Sequence, residues 1–188
     1  LAFLVLLLVL LTWLEANEAR PVNWSPSYSA LDKIPLGTKV LYENLQEQDL
    51  DLKGVNIPPF EFLEDTTLAG TYFFLNNSLS IDNNELKKLW AWVEKGNTLF
   101  VSAGAFSDNL LDTLNLEIAT RIPGVDFKSL PRLKLVNTQL NQDLYTFDHE
   151  TPLVYFSKVD SLSYKVLGVS HLQDFGNPAE ALPNFISS

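Results

Sequence analysis

Small polar residues follow two apolar runs that are typical of buried strands. They are Asn76, Asn77 and Ser78 after the first run, and Ser102, Gly104 and Ser107 after the second. In open α/β sheets, ligands bind beyond the carboxyl ends of the strands, where a helix N-terminus favours an anionic group. The pattern predicts a binding site for a polar or anionic group, although turn and helix-capping residues have the same composition.

Nucleophilic catalysis is a second chemistry that such side chains could support. A Ser–His–Asp triad is assembled in space, so residues far apart in sequence could form one. Its candidate members are Ser102 or Ser107, His149 or His171, and Asp108 or Asp148. The chain has no G-x-S-x-G motif, which places the serine of many hydrolases on a tight strand-to-helix turn. We therefore predict no catalytic residue.

Asp148, His149 and Glu150 are residue types that bind metal ions. Neighbouring side chains on a strand point to opposite faces, so three adjacent residues cannot all bind one ion. No second histidine follows at the spacing of three or four residues that a helix would need. We interpret this segment as an exposed turn before Pro152, and we predict no metal site and no cofactor.

An aromatic-rich segment near the N-terminus is the candidate surface for a protein partner. Its members are Asn23, Trp24, Ser27 and Tyr28. Aromatic side chains mixed with small polar ones are typical of protein interfaces and of surfaces that stack against sugars. The alternative is that Trp24 and Tyr28 pack this segment onto the sheet, because large aromatic side chains are well buried on average.

The composition limits these functions. The chain has 188 residues with 13 Lys+Arg and 23 Asp+Glu, which is a formal net charge of −10. This acidity argues against a nucleic-acid partner, because phosphate binding needs a basic surface. The absence of cysteine excludes disulfides, a thiol nucleophile and zinc–thiolate sites. Hydrophobic residues make up 46% of the chain, which is enough for a sizeable core.

An apolar run begins at Leu1 and ends at Leu14, with Thr12 as its only polar residue. A membrane-spanning helix needs about 20 such residues, so we expect the truncated end of a membrane anchor over residues 1–19. Trp13 lies where an interfacial aromatic belongs, which favours an anchor over a signal peptide or a buried helix. We therefore predict a lipid membrane as a partner. Residues 20–188 would form one domain outside the cytoplasm, cut short at its C-terminus.

A strand–helix–strand pattern must position the candidate ligand residues. Residues 71–75 and 98–101 are continuous apolar runs, which are typical of strands buried on both faces of a parallel sheet. Between them, Asp82 and Glu85 have the spacing of a capping box and begin an amphipathic helix that ends near Gly96. This order is the unit from which parallel α/β sheets are built.

Short apolar segments separated by polar turns follow residue 116 and predict antiparallel strands. These segments are residues 132–136, 144–147, 153–156 and 164–169. Upstream, the pattern predicts a strand at 22–24, a helix within 36–48 and a strand at 54–57. We expect an α/β fold, a Rossmann-like or flavodoxin-like three-layer sandwich. Its central sheet would be mostly parallel, with added antiparallel strands and a preceding N-terminal transmembrane helix.

Several segments resemble an uncharacterised bacterial family, the domain of unknown function 4350 (DUF4350). They are NWSPSYS at 23–29, DKIPLG at 32–37, VLYE at 40–43, TYFFLNNSLS at 71–80, VEKGNTLFVSA at 93–103 and residues 106–116. The resemblance covers most of residues 20–169 and is to the variant of Bacteroidetes-type bacteria. It implies a membrane-anchored protein with an α/β domain related to class I glutamine amidotransferases. Family genes lie near those of MoxR-type ATPases and von Willebrand factor A-like proteins, which the resemblance implies as partners in an envelope-associated assembly.

The chain departs from the pattern of an active amidotransferase-like domain. Such a domain carries a Cys or Ser on a glycine-flanked turn, and a His followed two residues later by Glu. The turn around Ser102 has no leading glycine and no Cys, and neither His149 nor His171 has the Glu. The chain therefore resembles a degenerate member that keeps the scaffold and has lost the chemistry.

Three functional hypotheses follow. The first is a membrane-anchored, non-catalytic α/β module for interaction or sensing in a bacterial envelope assembly. The second is a hydrolase or transferase that acts on an envelope substrate, and it requires a His and an acid beside Ser102. The third is a binding module for a small polar ligand or glycan, and it requires a concave pocket near Asn76, Asn77 and Ser102.

Overall fold

The computed structural model of the chain describes residues 2–17, 22–48, 50–125, 130–137, 139–140, 143–146, 150–172 and 180–188. The chain divides into two compact units, Leu1–Gly54 and Val55–Ser188. The predicted domain boundary at residues 19 and 20 falls outside the described residues. So do Asp148 and His149, the first two residues of the candidate metal segment.

The first unit begins with helix α1 (Ala2–Asn17), whose large apolar side chains are all exposed. This helix has 16 residues, fewer than the roughly 20 that a bilayer crossing needs. Among the described residues, no helix is long and apolar enough to cross a membrane. The transmembrane helix predicted at the N-terminus is thus not found among the residues that the structure describes.

Helix α2 (Lys39–Glu47) confirms the helix predicted within residues 36–48. An irregular segment precedes it, so the strand predicted at 22–24 is wrong. Tyr28 has a φ of 47° and its N–H donates to the carbonyl oxygen of Leu36 at 2.8 Å, while the Thr38 hydroxyl donates to the Tyr28 carbonyl at 3.1 Å. These two hydrogen bonds close the loop that leads into α2.

The second unit contains the predicted strand–helix–strand segment, preceded by the short helix α3 (Pro59–Phe62). Strands β1 (Thr71–Leu79) and β2 (Thr98–Phe106) pair in parallel, and helix α4 (Asn83–Val93) connects them. The predicted capping box begins α4. Asp82 Oδ1 accepts from the N–H groups of Asn84 and Glu85 at 2.7 and 2.9 Å, and Glu85 Oε2 accepts from the Asp82 N–H at 3.2 Å.

The main hydrophobic core lies where α3 and α4 cover one face of the β1–β2 sheet. Leu89 on α4 is 0% exposed, and Leu63, Leu79 and Leu86 are buried with it. Trp92 is also buried, and its Nε1 donates to the carbonyl oxygen of Leu68 at 3.0 Å. The amphipathic pattern of α4 thus fixes the helix on the sheet and leaves the opposite sheet face for other contacts.

The remaining strands are antiparallel, so the predicted sandwich with a mostly parallel central sheet is wrong. Helix α5 (Asp108–Leu114) leads to β3 (Glu117–Arg121), which pairs antiparallel with β6 (Leu153–Lys158). A four-stranded sheet has the order β5 (Tyr145–Thr146), β4 (Arg132–Leu135), β7 (Lys165–Leu172) and β8 (Glu180–Ser187), with antiparallel pairs throughout. A parallel pair of strands needs a crossover connection of a dozen or more residues, usually a helix. The sequence after Leu116 has no pattern that predicts another crossover helix.

The antiparallel part has its own small core of Leu153, Leu172 and Leu182, with Tyr155 packed against it. Strands β4, β6 and β7 confirm the apolar segments predicted as antiparallel strands, whereas β3 and β8 were not predicted. Residues 54–57, predicted as a strand, are irregular. Strand β8 lies at one edge of its sheet and carries Pro183 opposite Val169, next to an irregularity in the β7–β8 register.

Candidate functional site

Five of the six predicted ligand residues, all except Ser107, lie inside the two parallel strands and not in loops beyond them. Asn76 pairs with Ala103 and Ser78 with Ala105, because β1 and β2 remain hydrogen-bonded to Leu79 and Phe106. Paired backbone groups tolerate polar side chains where those side chains reach solvent. The prediction that β1 ends at Leu75 and β2 at Val101 is therefore wrong, although both strands exist where they were expected.

Asn76, Asn77 and Ser78 are exposed, and Gly104 lies beside them. The side chain of Asn76 accepts a hydrogen bond from the N–H of Asn77 at 2.8 Å. A Cβ on Gly104 would lie 3.1 Å from the carbonyl oxygen of Asn77, so glycine allows the two strands their close approach here. This part of the candidate site is an exposed surface, and its role in ligand binding stays a prediction.

Ser107 has a structural role in the described residues. It is the N-cap residue of α5, and its hydroxyl contacts the N–H and the carbonyl oxygen of Ile81 at 3.4 and 3.5 Å. Asn109 supports the same loop, because its Nδ2 donates to the Ile81 carbonyl at 2.8 Å and to Asn83 Oδ1 at 3.0 Å. Together these side chains fix the loop between β1 and α4.

Ser102 lies in a different environment, at the wall of a cavity of about 280 Å³. We call this space the β2–β6–β8 cavity, because those strands and β3 supply its walls. Its lining residues are Phe100, Val101, Ser102, Ala103, Phe106, Ile118, Val154, Tyr155, Phe156, Asn184 and Phe185. The cavity lies within the second unit.

Aromatic rings form one end of the β2–β6–β8 cavity. Phe100 stacks on Phe73 with ring centroids 4.4 Å apart and an angle of 1° between the ring planes. Phe185 meets Phe100 edge-on at 6.3 Å and 62°. Phe73 and Phe185 are 47% and 40% exposed, so the aromatic end of the cavity reaches solvent.

Three polar side chains, Ser102, Asn184 and Tyr155, line this otherwise apolar space. The hydroxyl of Ser102 makes no hydrogen bond with any residue that the structure describes. Asn184 is held in place, because its Nδ2 donates to the hydroxyl of Ser170 at 2.8 Å and Ser170 is 0% exposed. The cavity therefore has a fixed carboxamide and an available hydroxyl.

The cavity lining contains no Asp, Glu, His, Lys or Arg, and Tyr155 is its one titratable side chain. Arg121 lies nearby with its Cζ 5.9 Å from the centroid of the Tyr155 ring, and it forms an ion pair with Glu180 at 3.2 Å. The walls thus present no charge to a ligand.

His171 does not face the cavity. It lies on β7 between Ser170 and Leu172, whose side chains are buried on the inner face of the strand. Side chains alternate along a strand, so His171 lies on the opposite face from Ser170, the partner of Asn184. Asp108 is the first residue of α5, and His149 and Asp148 lie outside the described residues. Within the described part, the structure does not bring the candidate triad together at Ser102.

Among the residues that the structure describes, three groups outside the cavity have shifted pKa values. Burial raises the pKa of Tyr72, and the carboxylate of Glu85 adds to this effect. Burial likewise raises the pKa of Tyr164, with a further contribution from Asp160. Hydrogen bonds from the N–H of Leu162 and the hydroxyl of Ser163 lower the pKa of Asp160. None of the three lines the cavity, so these shifts concern stability and not the candidate site.

The candidate partner surface lies in the first unit. Trp24 is 47% exposed, whereas Tyr28 is half-buried. The side chains of Asn23 and Ser27 accept hydrogen bonds from backbone N–H groups two residues later, at 3.0 and 3.4 Å. These local bonds shape the irregular segment and leave a large part of the Trp24 side chain accessible.

Sequence reasoning missed most of the cavity. Of its lining residues, only Ser102 was among the candidate ligand residues. Phe156 lay at the end of a predicted strand, but the sequence around it did not indicate which other strand its side chain would face. The one available signal was Asn184, an amide between apolar residues in the segment that forms β8.

Comparison with known proteins identifies one relationship. A family model described as Domain of unknown function (DUF4350) matches residues 27–176, more than half of the chain. No curated protein and no solved structure matches the chain. The family match includes β2, β3 and β6 of the cavity and ends before β8.

Proposed function

The chain belongs to the DUF4350 family, and we propose that it is a non-catalytic binding module whose recognition site is the β2–β6–β8 cavity. The observation that carries the proposal is the chemistry of the cavity walls. Apart from Ser102, Asn184 and the hydroxyl of Tyr155, the side chains of these walls are apolar. Ligand sites are typically concave and apolar, with a few polar groups that fix orientation.

The same walls argue against hydrolysis at Ser102. A serine nucleophile needs a base within hydrogen-bond reach, and an acyl-transfer site needs donors for the developing oxyanion. The lining has neither a histidine nor a carboxylate beside Ser102, and His171 lies on the far face of β7. Binding is the function that these groups support without further assumptions.

A pair of matched substitutions tests the proposal. Ser102→Leu fills the cavity, whereas Ser157→Leu makes the same change at an exposed position on β6. In a fragment screen by ligand-observed NMR, we expect fragments to bind the unmodified chain and the Ser157→Leu variant and to be lost from Ser102→Leu.

Two results would contradict the proposal. One is that no fragment binds the unmodified chain. The other is turnover of an ester or amide substrate that disappears in Ser102→Ala, because it would show a nucleophile where we propose a binding wall. Thermal denaturation of each variant separates loss of binding from loss of the fold.

We also propose that the module works in an envelope-associated assembly with a protein partner, a MoxR-type ATPase or a von Willebrand factor A-like protein. Family resemblance and the exposure of Trp24 support this part of the proposal. A pull-down with the unmodified chain, Trp24→Ala and the nearby control Val22→Ala tests it. Equal recovery of such a partner by the unmodified chain and by Trp24→Ala would exclude the Trp24 surface as the contact site. Failure of the unmodified chain to recover such a partner would contradict the proposed assembly.

Three further expectations stay predictions. They are lipid contact through the apolar residues between Leu1 and Leu14, a position outside the cytoplasm, and a Bacteroidetes-type origin with a distant relationship to glutamine amidotransferases. Co-sedimentation with lipid vesicles, with and without acidic substitutions at Leu7 and Leu10, tests the first.

A further inference from the structure

We infer that the β2–β6–β8 cavity takes a neutral aromatic ring with one hydrogen-bond donor, such as a phenol or an indole. This inference rests on the proposed function, because it names the ligand class of the same cavity.

The size of the cavity favours a ring. A dry cavity of roughly 150 Å³ is large enough to bind benzene in an engineered protein. The β2–β6–β8 cavity has about 280 Å³, so it has room for a substituted single ring or for two fused rings. A longer acyl chain or a sugar chain would extend into solvent.

The walls favour an aromatic partner over an aliphatic one. Phe100, Tyr155, Phe156 and Phe185 all line the cavity. Aromatic pairs in offset-stacked or edge-to-face geometry contribute about 0.5–1.5 kcal/mol beyond burial of their area. The Phe100 ring stacks on Phe73 of the neighbouring strand at 4.4 Å and meets Phe185 edge-on at 6.3 Å, so contacts on two sides orient it before a ligand arrives.

The polar groups favour a ligand that carries a hydroxyl or an N–H of its own. Asn184 gives one of the two N–H groups of its Nδ2 to Ser170, and its Oδ1 is left as an acceptor. The hydroxyls of Ser102 and Tyr155 can each donate and accept, and neither Ser102 Oγ nor Asn184 Oδ1 has a donor among the residues that the structure describes. A phenolic O–H can donate to these oxygens and accept from a wall hydroxyl, whereas an indole N–H can only donate.

The absence of charge in the lining favours a neutral ligand. A carboxylate or ammonium group placed among these side chains would lose its hydration without gaining an opposite charge, which is costly. A phenol or an indole is neutral at pH 7 and avoids this cost.

The same chemistry has two sources, a free small molecule or the side chain of a Tyr or Trp on a partner protein. The experiment uses the full chain and isothermal titration with four probes: p-cresol and toluene, and N-acetyltyrosinamide and N-acetylphenylalaninamide. We expect each phenol to bind about threefold to tenfold more tightly than its partner without the hydroxyl, the range that one net hydrogen bond gives. Tighter binding of p-cresol indicates a free small molecule, and tighter binding of the tyrosine amide indicates a protein side chain.

Two variants locate the acceptor. Ser102→Ala keeps the apolar walls and should narrow the preference for p-cresol over toluene, whereas Ser157→Ala on β6 should leave it unchanged. The double variant Asn184→Leu with Ser170→Ala removes the second acceptor without leaving Ser170 unpaired. If this double variant does not fold, Ser102→Ala carries the test.

The outcomes separate this inference from the function on which it rests. Equal affinity for p-cresol and toluene, with binding of both lost in Ser102→Leu, would show that the cavity binds a ring without preferring a hydrogen-bond donor. That result would overturn the proposed donor group and leave the cavity as a binding site. Failure of both rings to bind, while another fragment binds and is lost in Ser102→Leu, would overturn the aromatic class alone. Absence of any ligand in the unmodified chain would overturn both.

Discussion

Ser102 and Ser107 show how neighbouring residues of one type acquire different roles. Both follow apolar residues in the same stretch of sequence, and both were candidates for one ligand site. The Ser107 hydroxyl contacts the backbone of Ile81, whereas the Ser102 hydroxyl faces a cavity. Sequence alone could not separate them, because the difference lies in atoms that tertiary contacts bring to each hydroxyl.

This difference predicts unequal effects on stability. Ser107→Ala removes contacts that fix the loop between β1 and α4, so we expect the free energy of unfolding to fall by about 0.5–1 kcal/mol. Ser102→Ala removes a hydroxyl without a described partner, and the change should stay within about 0.5 kcal/mol. Urea denaturation of both variants measures the two values, and a larger loss for Ser102→Ala would contradict the assignment.

Tyr164 predicts a loss of stability at alkaline pH. Its hydroxyl donates to the carbonyl oxygen of Leu114 at 2.7 Å, and burial raises its pKa above the usual value near 10. The folded state therefore holds this proton more tightly than the unfolded state. The stability that it contributes is fully present below about pH 10 and is lost as the pH rises through the pKa of the folded state.

Tyr164→Phe should lower the free energy of unfolding by about 1 kcal/mol at neutral pH and reduce the alkaline loss. Tyr72, whose pKa is also raised, should still cause part of the alkaline loss of stability in the Tyr164→Phe variant. Denaturation curves from neutral pH to about pH 11 measure both effects, with Tyr42→Phe on α2 as the control. An unchanged alkaline slope in Tyr164→Phe would contradict the prediction.

At the scale of elements, the close contact of β1 and β2 depends on Gly104. A Cβ at this position would lie 3.1 Å from the carbonyl oxygen of Asn77, in a part of the sheet where backbone atoms cannot move aside easily. We expect Gly104→Val to lower the free energy of unfolding by about 1–3 kcal/mol. Ala105→Val, at the neighbouring exposed position opposite Ser78, is the matched control and should cost little. Equal effects would show that the contact is not restrictive.

The elements with strong local signals were predictable. Asp82 and Glu85 begin α4 through contacts within four residues, and the apolar spacing of Leu86 and Leu89 sets its buried face. The parallel β1–β2 pair followed from the helix between the strands. Capping and periodicity act over short distances, so the sequence shows them directly.

The arrangement of the later strands was not predictable in the same way. Strand β3 pairs with β6 across more than thirty intervening residues, and β8 pairs with β7 through a register that shifts at Gly168. Pairing over such distances depends on which edges the rest of the chain leaves available. The cavity was not predictable for the same reason, because Tyr155 and Asn184 are brought to its walls by those strand pairings.

At the scale of the whole molecule, stability is concentrated in the second unit. Every buried apolar residue of the described chain lies at Leu63 or beyond. Leu89→Ala should therefore lower the free energy of unfolding by about 2–5 kcal/mol, the range for a fully buried leucine. Leu31→Ala, at a position that is 83% exposed in the first unit, should change it by less than about 0.5 kcal/mol.

Thermal or urea denaturation followed by tryptophan fluorescence measures this contrast, because Trp92 is buried in the same cluster as Leu89. A comparable loss in both variants would mean that the first unit contributes as much to cooperative unfolding as the second.

Pro183 on β8 has a consequence for the tendency of this protein to aggregate at high concentration. The outer strand of an antiparallel sheet offers unpaired N–H and C=O groups to any other chain that meets it, which is how fibrils begin. A proline has no N–H to donate, so another polypeptide chain that extended the sheet along β8 would lack a ladder hydrogen bond near the middle of this strand. Replacing Pro183 with Val would be expected to remove this gatekeeper and to speed fibril growth, visible as earlier thioflavin T fluorescence on prolonged incubation.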